Sequence, residues 1–82
     1  MKVAVKVRLK PSILDPQGKA VHNALSHLGF SGIQDVRVGK LIELELDDNI
    51  SRDKADTMIE EAGRKLLSNP VIEDFEIEYL KV

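Results

Sequence analysis

The stretch Lys2-Val3-Ala4-Val5-Lys6-Val7-Arg8-Leu9-Lys10 decides the fold. Its larger apolar side chains recur at every second position, and the basic side chains Lys2, Lys6, Arg8 and Lys10 point the other way. A period of two with one apolar face predicts a strand that is buried on one side. Pro11 ends this strand, because proline has no N–H to donate to a sheet.

Two helices follow from their start and stop signals. Asp15 is a suitable N-cap and Pro16 suits the first helical position, so a helix is predicted over about 16–28, with Gly29 as the left-handed residue after it. Ser51 is a suitable N-cap for a second helix, which Asn69-Pro70 ends. The two apolar stripes are Val21, Ala24, Leu25 and Leu28, and then Ala55, Met58, Ile59, Ala62 and Leu66.

Three further strands are predicted by alternation. Val36 and Val38 alternate with Asp35 and Arg37, and Gly39-Lys40 indicates a tight turn into a strand that carries Ile42, Leu44 and Leu46. The last strand covers about 72–80, with Phe75, Ile77 and Tyr79 facing inward. The order is β-α-β-β-α-β within one domain, residues 1–82. Right-handed crossovers then give an α+β, ferredoxin-like fold, a four-stranded antiparallel sheet in order 4-1-3-2 with both helices on one face.

Charge is distributed unevenly along the chain. Residues 1–40 carry seven basic and two acidic groups, whereas residues 41–82 carry five basic and twelve acidic groups. In the predicted sheet the basic first strand lies between two acidic strands, so the halves neutralise each other through cross-strand pairs. The aromatic signature of RNA-recognition modules is absent, and we expect no nucleic-acid partner.

The composition bears on the cellular compartment and the oligomeric state. No cysteine is present, and no apolar run approaches the ~20 residues of a membrane span. We therefore expect a cytoplasmic protein with no membrane partner. A domain of this size buries only about 60 % of its unfolded surface, which favours homo-oligomerisation.

No set of residues amounts to an active site. His22 and His27 lie about 140° apart around the first helix and cannot share a metal ion. Gly18-Lys19 opens a helix but matches no phosphate-binding loop, and the serines lack a nucleophile elbow. The acidic pairs Asp47-Asp48 and Glu60-Glu61 diverge in space. We predict no catalytic, cofactor-binding or metal-binding residue.

Three stretches together resemble a known family. They run from Val5 to Val21, including Leu14-Asp15-Pro16-Gln17-Gly18-Lys19-Ala20-Val21, then from Asp35 to Lys40, and from Leu66 to Glu73, including Asn69-Pro70-Val71-Ile72-Glu73. In this order and spacing the chain is similar to the PurS family, the small subunit of phosphoribosylformylglycinamidine synthase. Ser12-Ile13 stands where the family more often has Gly-Val.

The resemblance implies a role in the fourth step of purine biosynthesis. It implies a subunit that is not catalytic alone and that, as a dimer or dimer of dimers, bridges the large synthetase subunit and the glutaminase subunit and assists ammonia transfer. The complex uses ATP, magnesium and glutamine, none of which this chain would bind. Signature positions with a structural role are expected at Asp15, Pro16, Gly18, Gly39, Asn69 and Pro70. Candidates for partner contact are Lys10, Lys19, Arg37 and Lys40, the last three because they have no evident local role.

A free-standing ferredoxin-like module that binds a small metabolite is the alternative. Such a module would be stabilised by its ligand, since selective binding to the native state raises the melting temperature.

Overall fold

The computed structural model describes residues 1–80, which form a three-stranded antiparallel sheet and two α-helices. Strand β1 (Lys2–Leu9) leads to helix α1 (Pro16–His27) and strand β2 (Lys40–Glu45). Helix α2 (Arg52–Ala62), a π-helical turn (Gly63–Leu67) and strand β3 (Glu73–Leu80) complete the order. The sheet order is β2-β1-β3, which confirms the central position of the first strand.

The predicted strand at 35–38 is wrong: this segment is irregular, and β1, β2 and β3 are the strands found in residues 1–80. Its backbone groups have other partners. The Val38 N–H donates to the Asp15 carboxylate, 2.7 Å away, and the Val36 carbonyl lies against Gly18. Because the start of α1 engages this segment, it does not pair with β2. The predicted four-stranded order 4-1-3-2 therefore loses its edge strand 2, and the order 4-1-3 remains.

The core lies between the sheet and α2. Val3, Val5 and Val7 of β1 pack against Ile59 of α2, with Phe75, Ile77 and Tyr79 half-buried around them. No residue of α1 belongs to this cluster, and Gly18 is the only buried residue of α1. The prediction that both helices cover one sheet face is therefore correct for α2 and wrong for α1.

The last residue of the apolar stripe predicted for α2 is not buried, and the π-helical turn explains why. Ala55 and Ile59 are buried as expected, but Leu66 is 82 % exposed, and Leu67 packs against the core instead. The Ser68 N–H donates to the Gly63 carbonyl, a bond across five residues. This wider turn rotates the following side chains relative to an ideal α-helix.

The outer sheet face carries the predicted ion pairs. Lys2 pairs with Glu43 at 3.0 Å, Lys6 with Glu78 at 2.7 Å and Arg8 with Glu76 at 2.6 Å. Each pair joins β1 to a neighbouring strand. The charge difference between the two halves of the chain is thus largely cancelled within the sheet.

Candidate functional site

The three signature stretches meet at one end of the sheet. Lys10 directly follows β1, and its N–H donates to the Ile72 carbonyl at 2.8 Å, just before β3. Lys40 begins β2 opposite Val7. Residues far apart in sequence therefore form one region, which we call the signature surface: Lys10, Asp15–Lys19, Arg37–Lys40 and Asn69–Pro70.

Asp15 is the centre of this region. It is only 4 % exposed, and one carboxylate oxygen accepts from the Gly18 N–H at 2.9 Å. The other oxygen accepts from the Val38 N–H. These two backbone donors, first Gly18 and then Val38, hold the pKa of the Asp15 carboxyl below its usual value. Asp15 thus caps α1, as predicted. It also binds the backbone of Val38, 23 residues later in the chain, and no local sequence pattern indicates this second bond.

Arg37 has a local role that sequence reasoning missed. One guanidinium nitrogen donates to the carbonyls of Lys10 and Ile13, each at 2.9 Å. Because these carbonyls belong to the loop between β1 and α1, Arg37 fixes the path of that loop. The premise that Arg37 has no local role is wrong, although its side chain remains exposed to solvent.

Glycine is required at two places where backbones meet. A Cβ on Gly18 would lie 2.1 Å from the Val36 carbonyl oxygen, and one on Gly39 would lie 2.5 Å from that of Val7. Neither distance is compatible with a side chain. Gly39 therefore serves as a point of close approach to β1. The predicted tight turn at Gly39-Lys40 is wrong, because residues 33–39 are irregular and β2 already begins at Lys40.

The lysines of the signature surface are the groups that remain available. Lys19 and Lys40 are exposed and Lys10 is half-buried. None of the ion pairs formed within residues 1–80 uses any of the three. Lys40 also borders an open cleft of about 270 Å³ that Asp15, Pro16 and Gly39 help to line. The other charged side chains along this cleft are Arg8 and Glu73.

Asn69 and Pro70 lie between the π-helical turn and β3. Asn69 follows the π-helical turn, and its side-chain oxygen accepts from the Val71 N–H at 3.1 Å. Its backbone carbonyl accepts from the N–H groups of Ile72 and Glu73. Asn69-Pro70 therefore ends the helix and turns the chain into β3, as predicted.

The two histidines bind backbone carbonyls. His22 donates through Nε2 to the Ile33 carbonyl at 2.6 Å, and His27 through Nδ1 to the Asn23 carbonyl at 2.8 Å. Residues 1–80 contain no group of three or more acidic or histidine side chains arranged to hold a metal ion. In the same part of the chain, no helix is both long and apolar enough to cross a membrane.

Comparison with known proteins gives one family. The family model PurS, phosphoribosylformylglycinamidine (FGAM) synthase, matches residues 2–81. Phosphoribosylformylglycinamidine synthase subunit PurS of Bacillus subtilis is 47 % identical over 81 residues, which are 99 % of this chain and 94 % of the relative.

Solved structures agree in fold. PurS of Methanocaldococcus jannaschii, one of the subunits of formylglycinamide ribonucleotide amidotransferase, is 36 % identical with a TM-score of 0.85, covering 99 % of this chain and 96 % of that one. A chain in the structure of PurLQS from Thermotoga maritima is 27 % identical with a TM-score of 0.77, covering 96 % and 95 % of the two chains. The neighbours therefore include a chain seen within a larger complex.

Proposed function

This chain belongs to the PurS family and is a small subunit of phosphoribosylformylglycinamidine synthase in purine biosynthesis, and from that premise we propose that it bridges the other two kinds of subunit. One would be the ATP-dependent synthetase subunit and the other the glutaminase subunit. By holding them together, the chain would assist the transfer of ammonia from one to the other. It would carry no catalytic residue of its own.

The signature surface carries this proposal. It brings Lys10, Lys19 and Lys40 to one end of the sheet without acidic partners in residues 1–80. Lys10 lies on the loop that Arg37 holds in place, Lys19 lies in α1 and Lys40 begins β2. Unpaired basic side chains on a fixed backbone suit contact with acidic groups of a larger subunit. We propose Lys10, Lys19 and Lys40 as direct contacts and Arg37 as a contact that also positions the loop.

The likeness to a chain of PurLQS supports assembly with further subunits. We further propose that ATP, magnesium and glutamine are held by the larger subunits, since the clefts of about 270, 530 and 250 Å³ on residues 1–80 are all open to solvent. The chain would act in the cytoplasm as a homo-oligomer, either a dimer or a dimer of dimers.

The test is glutamine-dependent synthesis of formylglycinamidine ribonucleotide by the two larger subunits, with and without this chain. Activity that requires the chain, which does nothing alone, is the expected result. Lys19→Glu and Lys40→Glu should weaken assembly without changing the circular dichroism spectrum. Lys54→Glu is the matched control, because Lys54 is an exposed lysine on α2, outside the signature surface.

Equal turnover and equal assembly without the chain would refute the bridging role. A screen of amino acids and nucleotides for a rise in melting temperature would then test the small-metabolite module. Normal bridging by both lysine variants would instead refute only the choice of contact residues.

A further inference from the structure

Strand β3 forms an open edge of the sheet. Its one neighbour among residues 1–80 is β1, and the Lys10 N–H donates to the Ile72 carbonyl where this pairing begins. Because hydrogen-bonded and non-bonded pairs alternate along antiparallel strands, the register places the bonds to β1 at the even-numbered residues of β3. The N–H and C=O groups of the alternate residues therefore point away from β1, toward the edge, at Phe75, Ile77 and Tyr79.

A groove of about 530 Å³ lies along the same edge. Phe75 and Ile77 of β3 line it together with Pro70, Glu60 of α2 and Arg64 of the π-helical turn. No residue of β1 or β2 in the described part of the chain lines this groove, so it lies on the side of β3 that faces away from the other strands. The free backbone groups of β3 and a partly apolar groove therefore occur side by side.

The outer side of β3 is acidic. Asp74, Glu76 and Glu78 face outward, and the last two pair with basic side chains of β1. Asp74 is exposed and takes part in none of the ion pairs formed within residues 1–80. Across the sheet the charge alternates from acidic β2 through basic β1 to acidic β3, so a further strand beside β3 should carry basic side chains on this side.

From these observations we propose that an extended segment of one of the larger synthase subunits adds to the sheet as a further strand beside β3. Its backbone pairs with the free groups of Phe75, Ile77 and Tyr79. Its basic side chains lie next to Asp74 on the outer side, and its alternate apolar side chains enter the groove beside Phe75 and Ile77.

The charges favour another protein over a second copy of this chain at this edge. Twofold pairing of two β3 strands would bring the acidic side chains of one copy beside those of the other, and like charges on neighbouring strands are destabilising. A segment that alternates basic and apolar residues has no such conflict. The inference rests on the proposed function only for the source of this segment.

Amide hydrogen exchange tests the added strand directly. The isotopically labelled chain is exchanged alone and with each larger subunit, under the conditions of the synthesis assay, and is then quenched and read residue by residue by NMR. Exchange at Phe75, Ile77 and Tyr79 should be fast in the chain alone, and one of the larger subunits should slow it at least about tenfold. The amides of Glu76 and Glu78 are the internal control, because they donate to β1 and should be protected in both states.

Two results would overturn the added strand. One is slow exchange at the three edge amides in the chain alone, which would mean that a second copy already covers the edge. The other is unchanged exchange at these amides when both larger subunits are present and active, which would leave the bridging proposal intact. Synthesis that does not require the chain would instead refute the bridging role, and with it the source of the strand.

Charge reversal tests the basic character of the added strand. Asp74→Lys should raise the dissociation constant for the protecting subunit at least about tenfold, because it sets a lysine beside the proposed basic side chains. Glu45→Lys is the matched control and should leave that constant unchanged. Both variants replace an exposed acidic side chain of an edge strand opposite a basic residue of β1, Arg8 for Asp74 and Lys2 for Glu45. Equal effects of the two variants would contradict the proposal, provided that both retain the circular dichroism spectrum of the parent chain.

Discussion

Replacing Gly18 with alanine should destabilise the chain, against the ordinary preference of helices. Inside a helix, alanine is favoured over glycine by about 0.8–1 kcal/mol. At Gly18, however, the new Cβ would lie 2.1 Å from the Val36 carbonyl oxygen and 2.8 Å from an Asp15 carboxylate oxygen. The Asp15 oxygen is held in place, because it also accepts from the Val38 N–H, and the Val36 oxygen belongs to the backbone.

The change in the free energy of unfolding is the difference between the cost of the close contact and the gain in helix propensity. Forcing extra atoms into a filled space costs about 1–3 kcal/mol, and a contact with backbone at this distance belongs near the upper end. After subtraction of the gain in helix propensity, we expect a net loss of about 1–2 kcal/mol. For a domain of this size the melting temperature should fall by roughly 4–16 °C.

Thermal and urea unfolding at one fixed protein concentration provide the assay, since association makes apparent stability concentration-dependent. Gln17→Ala is the control, because Gln17 is the exposed neighbour in the same helical turn. Amide exchange at Val38 should also accelerate in Gly18→Ala. A rise in melting temperature would refute the close approach and leave helix propensity as the dominant effect.

Three further outcomes are expected. Ile59→Ala, at a side chain that is 1 % exposed, should lower the free energy of unfolding in urea by about 2–5 kcal/mol. Met58→Ala, at a side chain that is 38 % exposed, should lower it clearly less. Equal losses would contradict the placement of the core. Asp15 has a lowered pKa in the folded chain, so its stabilisation is present above about pH 4 and is lost as pH falls through that lowered value. Urea midpoints of Asp15→Asn should therefore differ from the parent at pH 7 and approach those of the parent as the pH falls below about 4, and a constant difference would show that the charge is irrelevant. Glu76→Gln should cost under about 1 kcal/mol, because its pair with Arg8 is 65 % and 61 % exposed, and any effect should disappear at about 1 M salt.

Most of the secondary structure could be predicted from local pattern. The alternation from Lys2 to Leu9 and the caps at Asp15 and Ser51 determine their elements through neighbouring residues, and the structure confirms them. Cross-strand ion pairing also followed, because the first strand lies between two acidic strands. The individual pairs did not follow, since Lys6 pairs with Glu78 although Glu76 is its register partner.

The failure at residues 35–38 arises from competition for backbone groups by distant residues, whereas the failure at Leu66 is local. Residues 35–38 alternate like a strand, but their N–H and C=O groups meet Asp15 and Gly18. The exposed position of Leu66 depends on a π-helical turn that periodicity does not reveal. At the candidate site, the capping role of Asp15 was predictable, whereas the bonds of Arg37 to two carbonyls join residues 24 and 27 positions apart.

The two bonds of the Asp15 carboxylate bear on the order of events during folding. Capping of Gly18 involves a separation of three residues, whereas the bond to Val38 closes a loop of 23. Closing the longer loop costs about 2 kcal/mol more in chain entropy. The first turn of α1 can therefore form while the 36–38 segment is still unstructured. The hydrogen bonds of Arg37 to the carbonyls of Lys10 and Ile13 close loops of nearly the same length. We therefore expect these bonds and the bond between Asp15 and Val38 to form together, late in folding.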